Sequence, residues 1–207
     1  MPKERYHHGN LRAALVEATR ALICEPGPQG FSLGEAARRA GVSAAAPYRH
    51  FAGREEVIAE VARQGFVVFA DLLEHAWNEG RPSPITALHN VGRAYLAFAR
   101  KYPGDYMAMF ESGIVLSSTP ELQTASDRAM QALTRACEAI LARVPEGTAP
   151  PARMMSLHVW AMAHGLVELI DRARPGSRAP FSADDLLESG IGLYLAGLGA
   201  LTRDSTV

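Results

Sequence analysis

The apolar residues of this chain recur at intervals of three or four positions along most of its length. Leu11, Leu15, Ala18 and Leu22, for example, fall on one face of a first helix, which the run Pro26-Gly27-Pro28 ends. The strict alternation of apolar and polar residues that is typical of strands is missing. The pattern therefore predicts an all-α protein.

Start and stop residues divide this pattern into about nine helices. Ser32, with Glu35 three positions later, has the spacing of a capping box and starts a short second helix, which Gly41 ends. Ser43 is placed to cap a short third helix that runs to about His50. The later helices are predicted to begin at Arg54, at Ser83-Pro84, after Pro103-Gly104 (ending near Val115) and at Thr119-Pro120, and then to cover residues 152–173 and 183–202. Ser182 and Asp185 have the spacing of a second capping box, at the start of the last helix.

The charges of the chain are unevenly distributed. Residues 1–54 hold eight lysine and arginine residues against four acidic ones, whereas the remaining residues hold 13 basic and 18 acidic groups. A basic end on an acidic body is typical of a protein that binds a polyanion. Together with the change from short to long helices, it predicts an N-terminal domain over residues 1–60 and a second domain over residues 61–207, with the boundary inside the long helix 54–79.

Several classes of protein are disfavoured by what the sequence contains. Cys24 and Cys137 lie too far apart for a metal-ligand motif or a disulfide framework, which favours a reducing compartment. The apolar stretches Met154–Val167 and Gly190–Leu201 are shorter than the ~20 residues that span a bilayer, and the start of the chain lacks a signal-type apolar segment. We therefore expect a cytoplasmic protein with no membrane partner.

No phosphate-loop, dinucleotide or zinc-protease motif occurs, so we expect no catalytic residues, no cofactor and no metal.

Residues 32–51 carry the most informative pattern. Two helices of about two turns are joined by Ala40-Gly41-Val42-Ser43, and Gly41 stands where a tight turn between helices needs a positive φ. The small side chains of Ala36 and Ala37 allow the helices to cross closely. This is the sequence form of a helix-turn-helix, whose second helix enters the major groove of DNA while the first braces it against the backbone.

The N-terminal segment resembles the DNA-binding domain of the TetR family of bacterial transcriptional regulators over roughly residues 6–62. Farther along, the stretch from Trp160 to Gly165 resembles a Trp-x-x-x-His-Gly signature of one TetR subgroup. The N-terminal residues that carry the resemblance are Tyr6-His7-His8-Gly9-Asn10-Leu11, Phe31-Ser32-Leu33, Ala37, Ala40-Gly41-Val42-Ser43, Tyr48-Arg49-His50-Phe51 and Arg54-Glu55-Glu56.

The resemblance implies a dimeric, all-helical repressor with an N-terminal three-helix DNA-binding domain and a C-terminal antiparallel bundle that holds a ligand pocket. It also implies roles for single residues in binding double-stranded DNA. Ser32 would cap the second helix and touch phosphate, Tyr48 and His50 would contact the backbone, and Arg54 would bind phosphate. The residues of the third helix that complete the expected DNA contacts are Ser43, Ala44, Ala45, Ala46 and Arg49, of which the alanines would face the bases.

Two features of this segment depart from the family pattern. Pro47 stands at about the fourth position of the third helix, where it forfeits only the first helical hydrogen bond. The base-facing positions are nearly all alanine, whose methyl groups pack on thymine methyls but make no hydrogen bonds to bases, and Arg49 is the one long donor nearby. We therefore expect phosphate contacts and DNA shape to carry most of the affinity. A purely structural role stays open for Tyr48 and Phe51 as core aromatics.

The last two predicted helices are apolar on more than one side. Residues 154–170 have Glu168 as their only formal charge, and helix 183–202 contains four glycines, each of which costs a helix ~1 kcal/mol relative to alanine. Close helix approach would justify that cost. We expect residues 152–173 and 183–202 to form the contact of a homodimer. The alternative is that both are core helices of a monomer.

A cluster of aromatic and methionine residues favours a small-molecule site in the body. Trp160 and His164 are one helical turn apart, and Glu168 extends the same stripe. An apolar cavity with a few polar groups is typical of a ligand site. The alternative is an ordinary core with a histidine satisfied by Glu168. The expected ligand-binding residues are Phe98, Tyr102, Tyr106, Met109, Phe110, Trp160 and His164.

These observations predict a ligand-responsive repressor. It would bind a pseudo-palindromic operator as a homodimer, and a small apolar or amphipathic effector would release it. One alternative is a small-molecule-binding protein without a specific DNA function. A second, less favoured alternative is a helical enzyme that uses His164 and Glu168.

Overall fold

A computed structural model describes residues 11–145, 147, 149–172 and 180–201. These residues form eight α-helices and no strand, which confirms the predicted all-α class. The stretch Tyr6 to Asn10 and the expected helix ends at 173 and 202 lie outside the described residues. The helices are α1 (Leu11–Cys24), α2 (Leu33–Arg39), α3 (Arg54–Trp77), α4 (Pro84–Lys101), α5 (Pro103–Phe110), α6 (Pro120–Leu141), α7 (Ala152–Leu166) and α8 (Ala183–Gly197).

The described residues divide into two compact units. The head unit contains residues 11–66 and 102–126, and the body unit contains residues 67–101 and 127–201. Helices α3 and α6 each contribute residues to both units. The boundary expected after residue 60 also falls within α3, and as a functional division it stays a prediction.

Local capping explains why α2 begins and ends where it does. The Ser32 hydroxyl accepts a hydrogen bond from the Glu35 backbone N–H, and the Glu35 carboxylate accepts one from the Ser32 N–H, which completes the predicted capping box. At the other end, Gly41 has a φ of 73°. The N–H groups of Gly41 and Val42 donate to the carbonyls of Arg38 and Ala37, so the helix ends in a Schellman motif.

The third helix was predicted over residues 43–50, and this prediction is wrong for an α-helix. Residues 44–46 form a turn, and Pro47–Arg49 form one 3₁₀ turn. The reason is chemical: Pro47 has no N–H to give to the Ser43 carbonyl, which accepts from Ala46 N–H at 3.0 Å instead. We call residues 43–50 the recognition segment.

Helix α5 packs closely on α1 and α3 within the head unit. A Cβ atom at Gly104 would lie 2.6 Å from the Arg20 carbonyl oxygen, so only glycine permits this approach to α1. A Cβ atom at Gly65 of α3 would lie 2.9 Å from the Cβ of Asp105. An ion pair between Arg20 and Asp105, at 3.0 Å, holds the first of these contacts. Helix α5 ends at Phe110, earlier than the predicted Val115.

The body unit is built around α4, which packs against α7 and α8. Ser182 and Asp185 form the second predicted capping box at the start of α8. Arg100 of α4 donates to Asp171, in the π-helical turn Val167–Asp171, and to Asp184 in the first turn of α8. These charged hydrogen bonds tie three elements together. Among the described residues, no helix is long and apolar enough to cross a membrane.

Candidate nucleic-acid interface

The recognition segment presents its polar and small side chains to solvent. Ser43, Ala44, Ala45, Arg49 and His50 are exposed. Tyr48 is 64% exposed, so a core role for this ring is wrong. Ala46 is half-buried. The structure therefore brings all seven predicted DNA-contacting residues of the segment together on one exposed stretch of chain.

Two buried side chains hold the segment against the head unit. Pro47 is buried, and Phe51, which follows the segment, is only 2% exposed. Phe51 thus has the core role that the sequence left open for it. The backbone N–H groups of His50 and Phe51 both donate to the Pro47 carbonyl, which fixes the end of the turn. Pro47 within the segment and Phe51 just after it fix the backbone, which keeps the outward side chains in place.

Ser32 lies exposed at the start of α2, as a phosphate contact requires. Its hydroxyl is engaged in the capping box, where it also lies 3.0 Å from a Glu35 carboxylate oxygen. The hydrogen bond from the Ser32 backbone lowers the pKa of Glu35. The carboxylate beside Ser32 therefore remains charged at neutral pH.

Most arginines of the head unit are bound by the protein itself. Arg12 pairs with Glu60 at 3.1 Å, Arg20 with Asp105, and Arg39 with Glu25 at 2.7 Å. Arg38 has only a long contact of 3.8 Å to Glu35, and its side chain is 81% exposed, as a solvated charge would be.

Arg54 is turned toward the loop that precedes α2. Its guanidinium donates to the Pro28 carbonyl and, at 3.1 Å, to the Gln29 amide oxygen. It also lies 5.0 Å from the centre of the Phe31 ring, a cation–π contact. Arg54 is half-buried and has a structural partner set within the head unit, so its phosphate-binding role stays a prediction.

Three of the expected ligand-binding residues lie together in the body unit. Phe98 and Trp160 contact the ring of Phe69, with ring centres 4.9 Å and 5.9 Å apart. The Tyr95 hydroxyl and the His164 Nδ1 atom share a hydrogen bond of 2.9 Å. This aromatic cluster also includes Phe69 and Tyr95, which are not among the expected ligand-binding residues. Their positions in the apolar stripes of their helices could have indicated them.

The other four expected ligand-binding residues belong to the head unit. Tyr106 and Met109 are buried, and Tyr102 and Phe110 are half-buried. The Tyr106 and Phe110 rings pack edge to face at 5.0 Å, and Phe66 of α3 contacts Phe110 at 5.7 Å. The head unit also has a groove of about 850 Å³, lined by Gln29 and by parts of residues 52–59 and 112–119, which the sequence did not indicate.

Family models match both parts of the chain. The model described as "Bacterial regulatory proteins, tetR family" matches residues 15–61. The model described as "Tetracyclin repressor-like, C-terminal domain" matches residues 88–194, which is more than half of the chain. The first match includes the recognition segment and the start of α3. The comparison with curated proteins found no match.

Solved structures share the fold over nearly the whole chain. A protein of unknown function from Rhodococcus sp. RHA1 is 24% identical, with a TM-score of 0.77 over 95% of this chain and 99% of that chain. The regulator PfmR from Thermus thermophilus is 20% identical, with a TM-score of 0.69 over 89% of this chain and 98% of that chain. AibR, solved with isovaleryl coenzyme A and operator DNA, is 15% identical, with a TM-score of 0.68 over 88% of this chain and 97% of that chain.

Proposed function

The chain belongs to the TetR family of bacterial regulatory proteins, which are ligand-responsive, DNA-binding and non-enzymatic, and from this premise we propose that it is a homodimeric repressor. Two copies of the recognition segment enter successive major grooves of a pseudo-palindromic operator, ~34–36 Å apart. A small apolar or amphipathic effector releases the DNA. The observation that carries the proposal is the exposed recognition segment directly after a capped α2.

The proposed roles in DNA binding follow the exposure of each side chain. Tyr48 and His50 contact phosphates, as does Ser32 at the start of α2, whereas Ala44 and Ala45 face base edges. Arg54 contributes a phosphate contact when its guanidinium leaves the Pro28 carbonyl. The functional border of the DNA-binding domain lies after residue 60, and DNA as the target places the protein in the cytoplasm.

The proposed dimer contact is the outer face of α7 and α8 with the π-helical turn after α7. This face, which we call the dimer face, carries large apolar side chains in solvent: Leu193 is 73% exposed, Leu169 72%, and Met154 and Leu157 49% each. A hydrogen bond of 3.0 Å between His158 and Tyr194 joins the two helices.

The glycines of α8 support the same contact. A Cβ atom at Gly192 or Gly197 would meet nothing within 4 Å. Packing within the chain therefore does not explain these glycines, whereas a second copy approaching this open side does. Burial of exposed leucines against that copy contributes favourably to the free energy of association, by roughly 25 cal/mol per Å² of apolar surface.

The proposed effector site includes the aromatic cluster of the body unit. Trp160, His164 and Gly165 are the Trp-x-x-x-His-Gly pattern, and membership of that subgroup is part of the proposal. Tyr95 and His164 offer a polar pair inside an otherwise aromatic surrounding, which suits an effector with one polar end. AibR, which shares the fold, has been solved with both a coenzyme A thioester and operator DNA. Phe98 of the cluster remains a proposed ligand contact. Within the head unit, Tyr102, Tyr106, Met109 and Phe110 also remain proposed ligand contacts.

Selection of bound fragments from random duplex DNA tests the proposal. A repressor enriches one pseudo-palindromic sequence. The logarithm of its affinity for that sequence falls linearly with the logarithm of the salt concentration. Equal affinity for all duplexes would instead indicate a small-molecule-binding protein without a specific DNA function. Measuring the affinity of the protein for the selected duplex and for a scrambled duplex, at the same salt concentration, separates the two outcomes.

A further inference from the structure

Arg49 differs from every other described arginine of residues 11–54 in having no partner. Its side chain is exposed and makes no hydrogen bond, ion pair or cation–π contact with the described residues. The other guanidinium groups are held by carboxylates or carbonyls of the head unit, except for the long contact of Arg38. Arg49, the arginine of the recognition segment, is therefore available to DNA without first losing a protein contact.

The position of Arg49 places it beside the base-facing alanines. The Arg49 backbone N–H donates to the Ala46 carbonyl at 3.3 Å, in the 3₁₀ turn that Pro47 begins. Side chains three positions apart lie directly over one another in a 3₁₀ turn. The side chains of Arg49 and Ala46 therefore leave the turn on the same side. Ala46 is half-buried, and the exposed Ala45 precedes it in the chain.

A free guanidinium and a methyl group read different base pairs. A guanidinium donates two parallel hydrogen bonds to O6 and N7 of guanine, and an alanine methyl group packs on the C5-methyl of thymine. Ser43, Tyr48 and His50 also carry hydrogen-bonding groups, but none has the paired donors of an arginine. The segment therefore has one strong base reader, with apolar contacts beside it.

We propose that Arg49 is the specificity-determining residue of the recognition segment and reads one guanine in each half-site, next to a thymine whose methyl group faces the alanines. This inference rests on the proposed function, because it presumes that the segment enters the major groove. It deepens that function by naming the base pairs that the operator must contain.

The first experiment compares selections from random duplex DNA by the full-length wild-type protein and by Arg49→Ala. The wild-type protein is expected to prefer guanine at one position of each half-site by roughly 5- to 150-fold over other bases. Arg49→Ala is expected to lose the preference at that position and to keep those elsewhere. The matched control is Arg38→Ala, because Arg38 is exposed on the neighbouring helix; it is expected to retain the guanine preference.

The second experiment uses modified bases in the selected duplex. Replacing the contacted guanine with 7-deazaguanine removes the N7 acceptor, and it is expected to weaken binding by the wild-type protein at least fivefold and binding by Arg49→Ala not at all. Replacing the neighbouring thymine with uracil removes only the methyl group and is expected to weaken wild-type binding about fourfold.

The outcomes separate this inference from the proposed function. A wild-type protein that selects no sequence overturns the proposed function. A wild-type protein that selects an operator, while Arg49→Ala keeps the same guanine preference or the 7-deazaguanine effect, overturns the inference alone. A selected half-site without thymine beside the guanine, or one indifferent to uracil, overturns the part assigned to the alanines.

Discussion

Single side chains in the head unit show how a partner set decides a role. Arg54 carries the same charge as Arg49 and lies five positions away, yet it donates to the Pro28 carbonyl and the Gln29 side chain. Sequence reasoning assigned both residues to DNA because both are basic and close to the helix-turn-helix. The difference between them lies in contacts to residues about 25 positions upstream, which no local pattern reveals.

We expect Arg54→Ala to lower the free energy of unfolding by about 1–2 kcal/mol, because a buried carbonyl loses its charged donor and the Phe31 ring loses its cation. Urea denaturation followed by circular dichroism measures this loss. Arg49→Ala is the control and should change the unfolding free energy by less than about 0.5 kcal/mol. Unchanged stability of Arg54→Ala would contradict the structural role. In a separate measurement of DNA binding, a slope of log affinity against log salt concentration that is reduced by about 1 in this variant would show that Arg54 also binds phosphate.

The ionisation of Glu60 is coupled to the folding of the head unit. Hydrogen bonds from Arg63, and further ones from Arg12 and Gln64, lower its pKa from the ordinary 4.5 to about 2 despite its burial. The folded state therefore favours the carboxylate. Its stabilising contribution is complete above about pH 5 and is lost as the pH falls through 4.5 toward 2.

We expect Glu60→Gln to be roughly 1–2 kcal/mol less stable than the wild-type protein at pH 7 and the difference to shrink at pH 3. Urea denaturation at both pH values measures it. Glu55→Gln, which changes an exposed carboxylate of the same helix, should match the wild-type protein within about 0.5 kcal/mol at each pH. A difference for Glu60→Gln that stays constant from pH 7 to pH 3 would argue against the assigned ionisation.

At the scale of elements, local chemistry was readable from the sequence and long-range packing was not. Both capping boxes and the positive φ of Gly41 follow from residues within four positions of each other, and all were predicted correctly. The third helix was predicted wrongly because helical spacing was weighed above the missing N–H of Pro47. The end of α5 was placed too late, since Ser112 donates to the Ala108 carbonyl and Gly113 follows with a φ of 75°.

Pro47→Ala tests whether the proline alone prevents an α-helix in the recognition segment. The new N–H at position 47 gives the Ser43 carbonyl its α-helical donor, so we expect α-helical ¹³Cα chemical shifts for residues 44–50. Because the outward side chains then change phase, affinity for the selected operator should fall about tenfold. Ala46→Gly leaves Pro47 in place and is the control for the chemical shifts alone, which should remain those of the wild-type turn. Unchanged chemical shifts in Pro47→Ala would show that tertiary contacts, not the proline, fix the 3₁₀ turn.

At the scale of the whole molecule, the sequence predicted the family architecture but not the distribution of the aromatic residues. The seven expected ligand contacts divide between the body unit and the head unit, because α4 ends at Lys101 and α5 packs on α1 and α3. Side chains such as Phe98 and Tyr102, four positions apart in sequence, thus belong to different units. Periodicity gives the face of a helix but not its tertiary neighbours, so this division required the structure.

The dimer face makes a prediction for the assembled protein. Leu193 is 73% exposed in the single chain, so Leu193→Glu adds a charge that the isolated fold tolerates but an apolar contact between copies does not. We expect the wild-type protein to sediment as a dimer and Leu193→Glu as a monomer. Because a monomer engages one half-site at a time, its affinity for the full operator should fall by about 100-fold or more.

Val115→Glu is the matched control for this experiment, because Val115 is 64% exposed in the head unit and lies outside the dimer face. It should sediment with the wild-type protein, and far-ultraviolet circular dichroism should show the same helical content for all three proteins. A monomeric wild-type protein would contradict the dimer outright. A dimeric Leu193→Glu would show that the contact lies on another surface. An unpaired glutamate buried in the proposed contact costs more free energy than the remaining leucines of the dimer face contribute.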